Sequence, residues 1–207
     1  MWLVTPAIPA DTSVLSQVIA EAFHDLPPAW WLIPGPRRRR EVFPGYFALL
    51  VKHALATGTV HTTPGRAAVA LWLPVGAEGP GQPGHSYSAR LAQVTGPDTA
   101  RFVAFDAELD DHHPTGTPHH YLGILAVRPG AQGQGIGTAL LHAHHTVLDA
   151  AGTAAYLEAS SERSRAWYLR HGYTDTGPPY HLPGGGPPLW PIWRPAAGPP
   201  PAPARGG

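Results

Sequence analysis

Glycines stand at 130, 133, 135 and 137, with Gln132, Gln134, Ile136 and Thr138 between and after them. Without Cβ atoms, Gly133, Gly135 and Gly137 let the backbone take unusual dihedrals and approach a ligand closely. The N–H groups of Gly133, Gly135, Ile136 and Gly137 can then converge on one anion. A helix beginning there adds unpaired donors and the positive end of its dipole. A pyrophosphate is the natural guest. The stretch is not a P-loop, because no Lys follows the glycines. Its G-x-G-x-G spacing also differs from the G-x-G-x-x-G of a dinucleotide turn.

Glu158 is the carboxylate best placed for proton exchange. It sits among the apolar residues of Ala154 to Ala159, where desolvation would raise its pKa toward a useful value for a base. The 13 histidines invite a metal reading, above all His112-His113 and His119-His120. No cysteine and no fixed helical spacing support it, so a polar loop is expected there and no metal site. His142, His144 and His145 are expected to form a solvent-facing stripe on a helix. Arg37 to Arg40 reads as the solvated first turns of another helix.

These residues need elements to hold them. Leu122 to Val127 is a short apolar run suited to a buried strand, stopped by Pro129-Gly130. A helix from about Gly135 to Ala150 follows and ends at Gly152. Upstream, Trp2 to Thr5 reads as an edge strand. A helix capped by Asp11 or Thr12 carries Val14, Leu15, Val18, Ile19 and Phe23. Leu26-Pro27-Pro28 breaks it, and a second helix runs through Tyr46, Phe47, Leu50, Val51 and Leu55 to Gly58. Thr59 to Thr63 and Ala67 to Pro74 pair around Pro64-Gly65. Val75 to Gly84 is a loop, and helices follow at Ser88 to Val94 and Asp98 to Leu109. Ala154 to Ala159 is a strand. Ser160 or Ser161 caps a helix through Arg170, closed by Gly172. Strands at Tyr173 to Thr176 and Leu189 to Trp193 complete the chain.

The 207 residues suffice for one domain with a full core, expected over 1–194, and the Pro/Ala/Gly-rich 195–207 reads as a disordered tail. Zero formal net charge leaves no general footprint for nucleic acid. No span approaches about 18 apolar residues, and the start lacks the pattern of a signal peptide, so a cytoplasmic protein without membrane contact is expected. The lack of cysteine removes disulfides, thiolate metal sites and a cysteine nucleophile.

Gln132-x-x-Gly135-x-Gly137 after Leu125-Ala126-Val127-Arg128-Pro129 resembles the acetyl-CoA motif of the GNAT acetyltransferases. Tyr168-Leu169-Arg170-His171-Gly172-Tyr173 is similar to their Tyr-x-x-x-Gly-Phe, with Tyr173 in place of Phe. Ala68 to Trp72 before Pro74, Leu157-Glu158-Ala159-Ser160, Leu182-Pro183, Gly186-Pro187, Trp190 and Arg194-Pro195 resemble the branch containing puromycin N-acetyltransferase. The resemblance is strong from about Tyr121 to Tyr173 and weak before Ala67.

The resemblance implies an α/β (α+β) fold: one mixed, mostly antiparallel, twisted sheet of six to seven strands, flanked by helices and splayed at its central strand. It implies acetyl-CoA as cosubstrate, held by Leu125, Ala126, Val127 and Gln132 through Thr138. Ser161, where many relatives carry Asn, would contact the pantetheine. A backbone N–H at Val127 or Ala126 would polarise the thioester oxygen. Tyr168 matches the general acid; its phenol, of ordinary pKa near 10, suits a thiolate leaving group. Glu158 or His120 would take the amine's proton, unless water does. Trp30, Trp31 and Trp72 would line an apolar acceptor pocket. The function implied is acetyl transfer to the primary amine of a small molecule, an antibiotic or other specialised metabolite among them, by direct attack in a ternary complex. A protein N-terminal or lysine acetyltransferase and a non-catalytic acyl-CoA-binding regulator are the alternatives. A monomer or homodimer is expected.

Overall fold

The computed structural model describes residues 2–80 and 85–197. One sheet organises them, in the order β1-β2-β3-β4-β5-β8-β6, with β7 paired to β8. The strands are β1 (Thr5–Pro6), β2 (Thr59–Thr62), β3 (Ala68–Val75), β4 (His119–Val127), β5 (Ala154–Ala159), β6 (Thr174–Asp175), β7 (Tyr180–His181) and β8 (Pro188–Arg194). All neighbours are antiparallel except β4 and β5, which run parallel. The sheet is thus mixed and mostly antiparallel, with eight strands where six to seven are expected. The additional one, β7, has two residues, too short for a periodic pattern to show.

β3 shows why both faces are covered. Val69 and Leu71 face a core built with α1 (Thr12–Phe23), α3 (Pro36–Thr57), α4 (His85–Thr95) and α5 (Thr99–His112). Ala68, Ala70 and Trp72 face α6 (Ile136–Ala151), whose Leu140 and Leu141 are fully buried there. The small alanines let the helix approach, and each such leucine contributes about 1.5–3 kcal/mol through burial. α7 (Glu162–Leu169) lies on the α6 face. A third cluster, Tyr180, Leu182 and Leu189, packs on Trp31, Phe105 and Leu109.

Several local expectations change. Pro27–Leu32 forms a short helix, α2, because prolines at its first positions forgo donors that a helix start leaves unused. Arg39 is buried, not solvated: its Nη1 donates to the carbonyls of Ile33 and Pro34 at 2.8 and 2.9 Å and ties α2 to α3. His144 and His145 are buried too. They continue the stripe Ile136, Leu140, Leu141, Leu148 that faces the sheet. His113 and His119 bury against each other, Nε2 to Nε2 at 2.9 Å; His112 ends α5, and His119 and His120 begin β4 instead of lying in a loop. Residues 81–84 of the expected Val75 to Gly84 loop and 198–207 of the expected tail lie outside the described residues. Among the described residues, no helix is long and apolar enough to cross a membrane.

Candidate active site

The central strand β4 creates an opening. It pairs with β5 only through His119, His120 and Tyr121, opposite Ala154, Ala155 and Tyr156. Beyond Tyr121 the two strands separate, while β4 stays paired to β3 and β5 to β8. A bulge helps: Leu71 opposes Ile124 and Trp72 opposes Leu122, so Gly123 has no partner. Gly123 is exposed in the middle of the sheet, at the apex of the gap. The bulge also switches the faces. Leu122 and, after it, Leu125 and Val127 face α6, whereas Ile124 and Ala126 face α1 and α3.

The outer edge of β4 offers specific donors. Arg128 N–H bonds Ala67 O at 2.8 Å. Alternation along an antiparallel pair then turns the N–H of Ala126 toward β3 and those of Leu125 and Val127 into the gap. Ala126 is therefore withdrawn as a thioester donor. The outward carbonyl of Val127 accepts from Gln132 Nε2 at 3.0 Å, so Gln132 braces the loop against the strand.

At this end lies the glycine loop. Gly133 has φ 77° and Gly135, the N-cap of α6, has φ 79°. A Cβ at either would meet nothing within 4 Å. The cradle is open, its glycines required by dihedral angle, and the unpaired N–H groups of α6 face it; these features fit a pyrophosphate. Ile136 contributes its backbone alone, since its side chain is buried. Gly137 packs near Val127 and Trp167, which joins α6, β4 and α7 at one corner. Trp2 Nε1 donates to Gln134 O at 2.7 Å, a brace that the sequence did not suggest. Thr138 is half-buried, its Oγ1 3.4 Å from His171 Nε2.

Tyr168 comes from α7 on the same face. It is buried against Trp167 and Tyr173, and burial pushes its hydroxyl above the ordinary tyrosine value. Ser161 caps α7: its Oγ accepts Ser164 N–H at 3.1 Å and lies 2.9 Å from Ser164 Oγ. A pantetheine contact would compete with that cap.

Glu158 lies on the opposite face, across the gap from Gly123. Its Oε1 is sealed from solvent without a hydrogen-bond partner. Burial raises its pKa to about 7, partly offset by the neighbouring Tyr121 and Tyr156 hydroxyls. Burial, and after it the charge of Glu158, raises the hydroxyls of Tyr121, Tyr156 and Tyr180 above their ordinary value. The i, i+2 spacing of Tyr156 and Glu158 could have signalled their shared face; nothing in the sequence points to Tyr180.

Other expected members are elsewhere. His120 points to the α6 face, where its Nδ1 meets His144 Nε2 at 2.9 Å, so the sheet separates it from Glu158. It is not an equivalent rival base. Trp72 is fully buried and stacked on His144 at 4.2 Å, so it is core and not pocket wall. Trp30 is 51% exposed on α2. Trp31 Nε1 donates to Pro183 O at 3.0 Å and holds the segment that bears Tyr180. Two surface grooves of about 760 and 480 Å³ run along α1 and α3 and include none of the residues assigned to this site.

Residues 97–175 match the family model described as Acetyltransferase (GNAT) domain. A crystal structure from Corynebacterium glutamicum, named as a histone acetyltransferase and related acetyltransferase, is 29% identical, with a TM-score of 0.72 over 96% of this chain and 99% of that one. A polyamine N-acetyltransferase from Drosophila melanogaster shares the fold at 14% identity and a TM-score of 0.60, over 94% of this chain and 100% of that one. Arylalkylamine N-acetyltransferase 2 from Aedes aegypti does so at 13% and 0.62, over 93% and 98%. The matched domain, the splayed sheet and the glycine loop on its central strand agree, and residues 97–175 carry a GNAT acetyltransferase domain.

Proposed function

We propose that the protein transfers the acetyl group of acetyl-CoA directly to the primary amine of a small molecule, held with it in one ternary complex. The observation that carries this is the gap that opens at Gly123, with the anion cradle and Tyr168 on one face and Glu158 on the other. Bound there, acetyl-CoA supplies an acetyl thioester. The N–H groups of Gly133, Gly135, Ile136 and Gly137 hold the pyrophosphate. Val127 lies beside that loop, so its outward N–H serves the pantetheine arm. Leu125 lies two residues deeper, toward the apex, and its N–H polarises the thioester oxygen as negative charge develops. Tyr168 Oη protonates the departing thiolate. Burial keeps the Tyr168 hydroxyl protonated at neutral pH.

Glu158 takes the proton from the acceptor ammonium. A carboxyl poised at about 7 is deprotonated often enough to accept it and basic enough to help. No enzyme-bound acetyl group is needed, as the chain has no cysteine. Antibiotics and other specialised metabolites with a free amine fall within this substrate class. The name of the C. glutamicum protein favours a second reading, acetylation of protein amines. The test is thiol release from acetyl-CoA against small amines and short peptides, with products identified by mass spectrometry. Release with a small amine supports the proposal, and release with peptides alone replaces it with the second reading. Acetyl-CoA binding without any release would point to a binding-only regulator.

A further inference from the structure

A loop grips an anion with its N–H groups only if its carbonyls point elsewhere. Around the glycine loop, three carbonyls are claimed by side-chain donors. Val127 O accepts from Gln132 Nε2 at 3.0 Å, Gly130 O from Gln134 Nε2 at 3.4 Å, and Gln134 O from Trp2 Nε1 at 2.7 Å. The first two donors belong to the loop. The third comes from 132 residues away, and its bond is the shortest of the three.

The peptide that Trp2 holds is the one with the most freedom to turn over. Gln134 stands between Gly133 and Gly135, whose φ values are 77° and 79°. Glycine takes either sign of φ about equally well, so the backbone alone does not decide which way the 134–135 peptide faces. A trans peptide is planar, and its C=O and N–H point in opposite directions. Holding Gln134 O on the indole therefore leaves the Gly135 N–H free for an anion on the other side. Among the described residues, no backbone carbonyl accepts that N–H. Turned over, the same peptide would set a carbonyl oxygen against the pyrophosphate.

The segment behind Trp2 is tied to the sheet. Thr5 pairs with Thr62, and Ala7 N–H bonds Val60 O at 2.8 Å. Val4 packs on the α6-face core, as do Leu125 and Val127. The residues from Val4 to Trp2 thus span from the core to the loop. The indole itself is 41% exposed, so its place is set by this bond more than by packing.

We propose that Trp2 is a positioning residue for acetyl-CoA, whose indole N–H sets the direction of the Gly135 N–H and so the affinity of the loop for the pyrophosphate. The inference rests on the acetyl-transfer reading for the identity of the ligand. Because Trp2 acts through the loop, it matters for a thioester that carries the pyrophosphate and not for one that lacks it.

The test is Trp2→Phe in the full chain, which keeps an aromatic ring and removes the donor. Calorimetry compares acetyl-CoA with S-acetylpantetheine, the same thioester without the pyrophosphate. The acetyl-CoA dissociation constant should rise about fivefold, the scale of one lost hydrogen bond, and that of S-acetylpantetheine should not. In thiol release with an accepted amine, the loss should fall on KM for acetyl-CoA and not on kcat. Acetyl-CoA binding within about twofold of the wild type overturns the proposal. An equal loss with S-acetylpantetheine also overturns it, because Trp2 would then support the fold at large. The selective loss in a protein that releases no thiol with any amine supports the brace and overturns the acetyl-transfer reading. A wild type that binds no acetyl-CoA overturns both.

Discussion

Glu158 and Tyr168 face each other across the sheet, each with a raised pKa and each for the same cause, burial. Glu158 must be ionised to accept a proton, so kcat/KM should climb with pH up to about 7 and level above it. Glu158→Gln should lower the plateau by about 10–100-fold and abolish the climb, read from a pH–rate profile. The same shift has a stability consequence of opposite sense. Between 4.5 and about 7 the folded carboxyl holds a proton that the unfolded one releases, so its contribution to stability falls as pH rises through that window. Glu158→Gln should therefore raise stability at pH 8, by about 1–3 kcal/mol in denaturant titration. In the sequence, Glu158 could be singled out by its apolar neighbours. Trp72 and His120 misled because a residue type says nothing about which face of a strand it occupies.

At the scale of elements, the glycine loop and α6 were readable because the dihedrals they need are ones that glycine alone takes easily. Gly135 has φ 79° and open space where a Cβ would go. Gly135→Ala should cost about 1–2 kcal/mol in stability from the left-handed backbone. It should weaken acetyl-CoA binding at least about tenfold by calorimetry, because the methyl group occupies the approach to the anion. Acetyl-CoA binding that stays within about twofold of the wild type would argue against a phosphate cradle. The lone glycine inside β4 is the one sequence signal of the bulge at Gly123, and the bulge sets which N–H groups enter the gap. By contrast, α2 and β7, six and two residues long, lie below the length at which a periodic pattern declares itself. His144 and His145 were expected to face solvent, yet each lies four residues after a buried leucine, Leu140 and Leu141, on the stripe that starts at Ile136 and faces the sheet.

The whole molecule carries an unusual load of interior imidazole. His61, His144 and His120 form a chain of 3.1 and 2.9 Å contacts on the α6 face, and His113 pairs with His119 on the other. Burial lowers all five, and His145 as well, with His113 and His145 brought to about 4 and His144 to about 3. The unfolded chain binds protons near 6.5 while the folded one resists, so this stability is complete above about 6.5 and is lost as pH falls toward 4. Scanning calorimetry should show Tm falling by roughly 10 °C between pH 7 and 5, with a shallower fall in His144→Gln. The most direct test of the catalytic account is the turnover number of Tyr168→Phe with an accepted amine, measured beside its acetyl-CoA dissociation constant. The account predicts that kcat drops about 10²-fold or more while the dissociation constant stays within about twofold. An unchanged kcat would remove Tyr168 as the proton donor and with it the proposed division of labour across the gap.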